Sequence, residues 1–117
     1  MNYRNFTRVD ISEFASVKQG ERIFFGNVIN VSLQGLYVKT HEEIPLNIPL
    51  EVTVYHSPNN SIRLLANVVR QDVSGVGIQI KEMDTNSFVK LKNVIEEHCD
   101  DLELILHETI KVASCIR

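Results

Sequence analysis

The sequence predicts a mostly β fold, a small sandwich or barrel followed by C-terminal α-helices. From residue 9 to about residue 80, short runs of β-branched and aromatic residues are separated by turn residues, which is typical of such folds. After Asp84 the apolar period becomes helical. A length of 117 residues and an apolar fraction of 44% favour one folding unit with its own core.

The β part contains six predicted strands. The first has a slip in its apolar alternation, which indicates a bulge or bend. Turn residues at Gln19-Gly20 and at Ser57-Pro58-Asn59-Asn60 separate neighbouring strands. The predicted strands cover residues 9–18, 22–31, 36–39, 50–56, 62–71 and 76–80.

Two helical segments follow. Asp84 is a suitable N-cap for the first, which we expect to pack over one mouth of the β unit. Its apolar stripe comprises Phe88, Leu91, Val94, Ile95 and His98. The second begins near Asp101, and either Asp100 or Asp101 could cap it. Its predicted stripe comprises Leu102, Ile105, Leu106, Thr109 and Ala113. Such stripes more often belong to the core of the same chain than to a dimer interface or an effector-docking surface, and all three interpretations remain open here.

Charge and composition disfavour several classes of protein. The net charge of 12 − 15 = −3 gives no long-range attraction for DNA or RNA. We find neither a membrane span nor a secretory signal and expect a cytoplasmic location. Cys99 and Cys115 match no metal or redox spacing and are interpreted as free thiols. The four histidines have no metal-ligand spacing and no nucleophile motif is present, so we expect neither an enzyme nor a metal or other cofactor.

Two short motifs carry most of the functional information. The segment Arg4-Asn5-Phe6-Thr7-Arg8 has the pattern R-x-x-x-R. The segment Asn30-Val31-Ser32-Leu33-Gln34-Gly35 has the pattern N-x-S-x-x-G and follows about twenty residues later. Together they resemble the ligand signature of the PilZ domain family. The resemblance extends through Val68-Val69-Arg70 and Ser74-Gly75-Val76-Gly77-Ile78, and so covers roughly residues 4–98.

The resemblance implies a six-stranded antiparallel split barrel that acts as a receptor for cyclic di-GMP. Arg4 and Arg8 would pair with phosphate or with guanine, or stack on a base. The N-terminal arm, residues 1–9, would have few burial contacts and become ordered on binding. The domain would comprise residues 1–98, with the helix at about 84–98, and residues 99–117 would form a helical extension.

The second motif would supply the polar groups that read guanine. Asn30 and Ser32 would meet its Watson–Crick edge, although local turn bonds are compatible with the same residues. Gly35 would supply a positive φ or the absence of a β-carbon. The family accepts aspartate or asparagine at position 30, and the amide offers one accepting oxygen where a carboxylate offers two, which predicts modest affinity.

Three further residues are weaker candidates. Tyr3 would stack on a base or influence ligand stoichiometry, Val9 would anchor the arm, and Arg70 either contacts ligand or forms a salt bridge at a strand end. The expected partners are cyclic di-GMP and an unidentified effector protein, and the chain would be a monomer or a homodimer. The alternative is a degenerate PilZ adaptor that acts by protein contacts without ligand.

Overall fold

Six β-strands and two α-helices make up the computed structural model, which describes residues 6–117. The strands match the predicted ones closely, and the largest difference is that β6 continues to Met83 rather than ending at residue 80. The elements are β1 (Val9–Gln19), β2 (Arg22–Val31), β3 (Gly35–Lys39), β4 (Pro49–Ser57), β5 (Asn60–Gln71), β6 (Gly75–Met83), α1 (Thr85–Glu97), α2 (Leu102–Val112) and a short 3₁₀ helix (Ala113–Cys115).

The strands form a closed antiparallel barrel in the order β1-β2-β3-β6-β5-β4. Pairing of β1 with β4, as at Val17 opposite Val52, closes it. Alternate side chains point inward, and Val17, Val28 and Val52 are buried in its core. The predicted six-stranded antiparallel barrel is therefore confirmed, and the sandwich is excluded.

Three of the register shifts between paired strands bear on the sequence predictions or on candidate site residues. The register of β1 against β2 shifts between Asp10 and Glu13, which confirms the predicted bulge. Further shifts lie between Val28 and Asn30 on β2 and between Val68 and Arg70 on β5. A bulge redirects the side chains that follow it. Asn30 and Arg70 each come directly after such a shift.

Helix α1 begins as predicted. Asp84 caps it by accepting a hydrogen bond of 2.6 Å from the Ser87 backbone N–H. Its inner face lies over one mouth of the barrel, where side chains of β1, β2, β4 and β5 surround a gap of only about 10 Å³. The predicted apolar stripe is buried except at His98, which is exposed at the helix C-cap. The buried members are Phe88, Leu91, Val94 and Ile95.

Helix α2 begins after its predicted cap, Asp101, but presents a different face to the barrel. Ile105, Glu108 and Val112 are buried. The predicted stripe is wrong at Leu102, Leu106 and Ala113, which are exposed. Hydrophobicity alone predicts that Leu102 and Leu106 lie on the buried face. Glu108 is buried because the backbone N–H and hydroxyl of Thr7 donate hydrogen bonds to it.

The chain before β1 is tied to the body of the protein over the part that the structure describes. Phe6 and Val9 are buried members of the core. The expectation of few burial contacts in the arm is therefore wrong at Phe6, which supplies a second apolar anchor beside Val9. Elsewhere, Cys99 and Cys115 are free thiols, as predicted. Within residues 6–117, no helix is long and apolar enough to cross a membrane.

Candidate functional site

A cavity of about 590 Å³ opens on the barrel wall beside the start of β1. This volume is within the usual range for small-molecule sites. Arg8 borders it from the segment before β1, and Arg70 borders it from β5. Among the described residues that line it there are two arginines and no carboxylate: Arg8, Gln34, Gly35, Leu36, Tyr37, Val69, Arg70, Gly77, Ile78 and Gln79.

Arg8 is held against the end of β2. Its Nη1 donates a hydrogen bond of 2.6 Å to Oδ1 of Asn30. Burial lowers the pKa of Arg8, and the positive charge of Arg70 lowers it further. The guanidinium remains protonated at neutral pH. Because burial and the charge of Arg70 disfavour an unpaired positive charge at Arg8, pairing of Arg8 with an anion in the cavity would be favourable.

Arg70 is oriented by an aromatic ring and by a glycine on the next strand. Its guanidinium carbon lies 5.4 Å from the ring centroid of Tyr37, which is a cation–π contact. Gly77 is paired with Arg70 across β5 and β6. A β-carbon at Gly77 would lie only 2.9 Å from Cγ of Arg70. The missing side chain therefore provides the space in which Arg70 lies along the barrel wall.

Asp72 fixes this arrangement from the turn between β5 and β6. Its Oδ1 accepts hydrogen bonds from the Tyr37 hydroxyl at 2.6 Å and from the backbone N–H groups of Ser74 and Gly75 at 2.9 and 3.0 Å. Its other oxygen lies 3.5 Å from Nη1 of Arg70. The Tyr37 hydrogen bond is the main cause that lowers the pKa of Asp72. Burial and the same bond raise the pKa of Tyr37.

Ser32 and Gly35 shape the β2–β3 turn from within. Ser32 is 1% exposed, and its Oγ accepts from the backbone N–H groups of Gln34 and Gly35 at 3.2 and 3.1 Å. The Ser32 hydroxyl therefore points into the protein and forms the local turn bonds that the sequence analysis considered beside a guanine contact.

Gly35 does not adopt the positive φ that was one of its two expected roles. Among the five glycines, only Gly20 has a positive φ. A β-carbon at Gly35 would lie 2.6 Å from the Ile78 backbone oxygen and 3.8 Å from Nη2 of Arg8. Gly35 thus lets β3 approach β6 closely, and it keeps the wall beside Arg8 open.

The structure brings part of the predicted site together. Arg8, Gly35 and Arg70 line the cavity. Asn30 is not among the lining residues but accepts a hydrogen bond from Arg8. Val9 does not line the cavity; it is a buried core residue opposite Val31, which fits its expected role of anchoring the arm. The predictions for Arg4 and Tyr3 lie outside the described residues.

Sequence reasoning missed Tyr37, Asp72, Gln34 and Gln79. Gln34 occupies an unspecified position of the N-x-S-x-x-G motif, so its side chain carried no signal. Tyr37 reads as an ordinary aromatic residue of a strand. A Gly77 that pairs with Arg70 could have pointed to a side chain lying across the wall, but the pairing is visible only once the register is known.

A second, larger cavity of about 750 Å³ lies apart from the motifs. It contains none of the predicted site residues, and its lining mixes Lys18 and Lys81 with Glu51 and Glu82. Opposite charges in one groove cancel the local field for an anion. The chemistry therefore favours the smaller cavity as the site.

The fold and the cavity define a small antiparallel β-barrel with an arginine-lined pocket on its wall. The PilZ domain family model matches residues 2–97. The chain belongs to the PilZ domain family, a family of cyclic di-GMP receptor domains. No curated protein sequence gives a match.

Solved structures with the same fold are distant in sequence. The Bacillus subtilis inhibitor of motility, MotI/DgrA, aligns at a TM-score of 0.66 and 15% identity, over 83% of this chain and 51% of that protein. The present chain thus spans about half the length of the Bacillus protein. The PilZ domain of CeSA from a cellulose-synthesizing bacterium aligns at 0.62 and 15% identity, over 78% and 96% of the two chains.

A third structure is the PilZ domain of YcgR from Escherichia coli with cyclic di-GMP. It aligns at a TM-score of 0.65 and 10% identity, over 96% of this chain and 98% of that one. At these identities the alignments establish the shared fold alone.

Proposed function

We propose that this protein binds cyclic di-GMP in the cavity between Arg8 and Arg70. The observation that carries the proposal is a pocket of about 590 Å³ lined by two guanidinium groups and, among its described lining residues, by no carboxylate. The ligand has two phosphate charges and two guanines, so it needs cations and planar hydrogen-bonding groups. Arginine supplies both. Membership of the PilZ family supports the choice of this nucleotide.

Each arginine has a distinct role in this proposal. Arg8, which lies at the inner end of the R-x-x-x-R motif, pairs with a phosphate or with the O6 and N7 atoms of guanine. Arg4, the outer arginine of that motif, is proposed as its counterpart. Arg70 is held on Tyr37 and presents a second charge to the cavity.

The motif residues on β2 and β3 divide into ligand contact and support. Asn30 is proposed to read the guanine edge with Oδ1, the oxygen that accepts from Arg8 in this structure. Ser32 supports the turn through its buried hydroxyl. Gly35 leaves space on the wall for a base, since a side chain there would meet β6 and approach Arg8.

Binding is further proposed to change the conformation of the N-terminal arm and to signal to an effector protein. Arg8 donates to a neutral amide, that of Asn30. A phosphate is a stronger acceptor because the hydrogen bond is then charge-assisted on both sides. Ligand would therefore draw the Arg8 guanidinium from Asn30 to the phosphate, and Arg4 is proposed to join it there.

Calorimetry with cyclic di-GMP tests the proposal. The wild-type protein should bind, and Arg8→Ala should weaken binding roughly ten- to hundredfold, because charge-assisted hydrogen bonds contribute about 1.5–3 kcal/mol each. Arg63→Ala is a matched control, since Arg63 is an exposed arginine of β5 that pairs with Glu51 outside the cavity. No heat of binding at millimolar ligand and low salt would refute the function. Equal affinity of Arg8→Ala and wild type would move the site elsewhere.

A ligand-independent adaptor is the second candidate. The observation that favours it is the outer face of α2, where Leu102, Leu106 and Ile110 are exposed. Exposed apolar side chains spaced four residues apart on one helix are suited to contact another protein. An adaptor of this kind would show no response to the nucleotide in the calorimetric experiment.

A further inference from the structure

Glu108 is a buried acid on α2 that the sequence motifs do not explain. It is 1% exposed. Its hydrogen-bond partners belong to Thr7, which is 101 positions earlier in the chain. The Thr7 backbone N–H donates to both carboxylate oxygens, at 3.0 and 2.9 Å, and the Thr7 hydroxyl donates to Oε2 at 2.7 Å.

These contacts make the helix and the N-terminal segment dependent on each other. A buried carboxylate is costly unless donors replace the water it has lost. Within residues 6–117, no lysine, arginine or histidine forms an ion pair with Glu108, so Thr7 supplies its donors in place of a cation. Phe6 adds a second contact with α2, a cation–π contact in which Nζ of Lys111 lies 5.8 Å from the Phe6 ring centroid.

The tie to α2 lies one residue from the proposed site. Thr7 precedes Arg8, whose guanidinium borders the cavity and bonds Asn30. Consecutive Cα atoms are only about 3.8 Å apart, so fixing Thr7 also restricts where Arg8 can reach. Phe6 and Thr7 lie inside the R-x-x-x-R motif, between its two arginines.

We propose that Glu108 is a positioning residue for Arg8, and that docking of α2 and binding of cyclic di-GMP are coupled through Thr7. This inference rests on the proposed function and adds the C-terminal helix, which lies beyond the matched residues 2–97, to the receptor. The helix holds Arg8 at the cavity before ligand arrives, so less conformational freedom is lost on binding. By reciprocity, bound ligand must stabilise the docked helix to the same extent.

Variants of the tie test the first half of the coupling. Glu108→Gln keeps the shape of the side chain but places an amide donor against the Thr7 donors. Thr7→Val removes one donor with little change of volume. Each should weaken binding of cyclic di-GMP about three- to tenfold, because immobilising a side chain or loop costs about 0.5–1.5 kcal/mol. Glu103→Gln is the control, since Glu103 is an exposed acid of the same helix. Its affinity should equal that of the wild type.

Hydrogen exchange tests the second half. Saturating cyclic di-GMP should slow exchange of the α2 amides, residues 102–112, in the wild type and less so in Glu108→Gln. If Glu108 had a merely structural role, Glu108→Gln would have a lower thermal midpoint than the wild type. Its affinity for cyclic di-GMP and the slowing of α2 exchange by ligand would then equal those of the wild type.

The outcomes separate the two proposals. If the wild type binds and the folded variants bind equally well or more tightly, the coupling is overturned and the receptor function stands. Unchanged exchange of α2 in the ligand-saturated wild type also overturns the coupling, even if Glu108→Gln does not fold. If the wild type does not bind, the proposed function fails and the coupling fails with it.

Discussion

At the residue scale, the site depends on what each side chain leaves free as much as on what it contacts. Asn30 offers its oxygen to Arg8 and retains an amide donor. Gly35 and Gly77 leave space on the wall, but the atoms nearest to them differ. A backbone oxygen lies next to Gly35, and the side chain of Arg70 lies next to Gly77. These differences lead to separable effects on affinity and on stability.

Asn30→Asp should increase affinity for cyclic di-GMP, on the order of tenfold, because hydrogen bonds that involve a charged group contribute about 1.5–3 kcal/mol against 0.5–1.5 for neutral ones. Once Arg8 has moved to the phosphate, the two carboxylate oxygens can accept together from N1–H and the exocyclic amine of guanine. Calorimetry of the variant beside the wild type measures the change. Weaker binding by Asn30→Asp would show that the amide donor is used by the ligand.

Gly35→Ala and Gly77→Ala should behave differently. The β-carbon at position 35 would lie 2.6 Å from the Ile78 oxygen, so the β3–β6 pairing must open. We expect a loss of about 1–3 kcal/mol in the free energy of unfolding. At position 77 the Arg70 side chain can move aside, so stability should stay within about 1 kcal/mol, partly because alanine is less flexible than glycine.

Urea unfolding and calorimetry together check this contrast. Gly77→Ala should weaken ligand binding because it displaces Arg70. A Gly77→Ala variant with wild-type affinity would remove Arg70 from the proposed site.

At the scale of elements, the β5–β6 turn links strand geometry to the site. Asp72 accepts from two backbone N–H groups of its own turn and from Tyr37 on β3, and Tyr37 in turn supports Arg70. Three strands are thereby fixed relative to one another by a single carboxylate. The lowered pKa of Asp72 shows that folding favours its ionised form.

Stability should depend on the charge of Asp72 in a defined pH range. Because its folded pKa lies below the ordinary value of 3.8, its contribution is fully present above that value and is lost as pH falls through the folded pKa. Asp72→Asn should therefore have a lower urea midpoint than the wild type at neutral pH. The difference should shrink as the pH falls below that ordinary value. A difference that is constant with pH would mean that shape, and not charge, fixes the turn.

At the scale of the whole molecule, the barrel is closed, and helix α2 contacts the segment that precedes β1, next to the site. Thr7 and Glu108 are in contact although most of the chain lies between them. A ligand that binds in this region should therefore stabilise the fold as a whole, and should not merely order one loop.

Thermal unfolding checks that expectation. At a free concentration one hundred times the dissociation constant, cyclic di-GMP should add about 2.7 kcal/mol to the free energy of unfolding if it binds the native state alone. For a domain of this length that corresponds to a rise in the thermal midpoint of roughly 10 °C. Arg8→Ala should show a much smaller rise at the same ligand concentration. An unchanged wild-type midpoint would favour the ligand-independent adaptor.

Local patterns were sufficient to predict most of the fold. The period of apolar residues located all six strands, and Asp84 and Asp101 marked the starts of both helices, because these signals depend on near neighbours in the chain. The slip in the first strand was visible in the same way. The two motifs also led to Arg8, Asn30 and Gly35.

The buried face of α2 could not be predicted from the helix alone. Helical periodicity favoured Leu102 and Leu106 over Glu108, since a lone acid is normally exposed. Glu108 is buried because Thr7 supplies its hydrogen-bond donors across the fold.

By itself, the sequence determined the order of elements and the arginine and asparagine motifs, since each follows from side chains close together in the chain. Its local pattern left a sandwich and a barrel open, and pairing of β1 with β4 decided for the barrel. The tertiary structure alone decided that Tyr37 and Asp72 hold Arg70, that Ser32 faces inward, and that Glu108 joins the motif segment. These features depend on strand register and on contacts between distant residues. Neither the strand register nor these contacts can be predicted from the local periodicity of apolar residues.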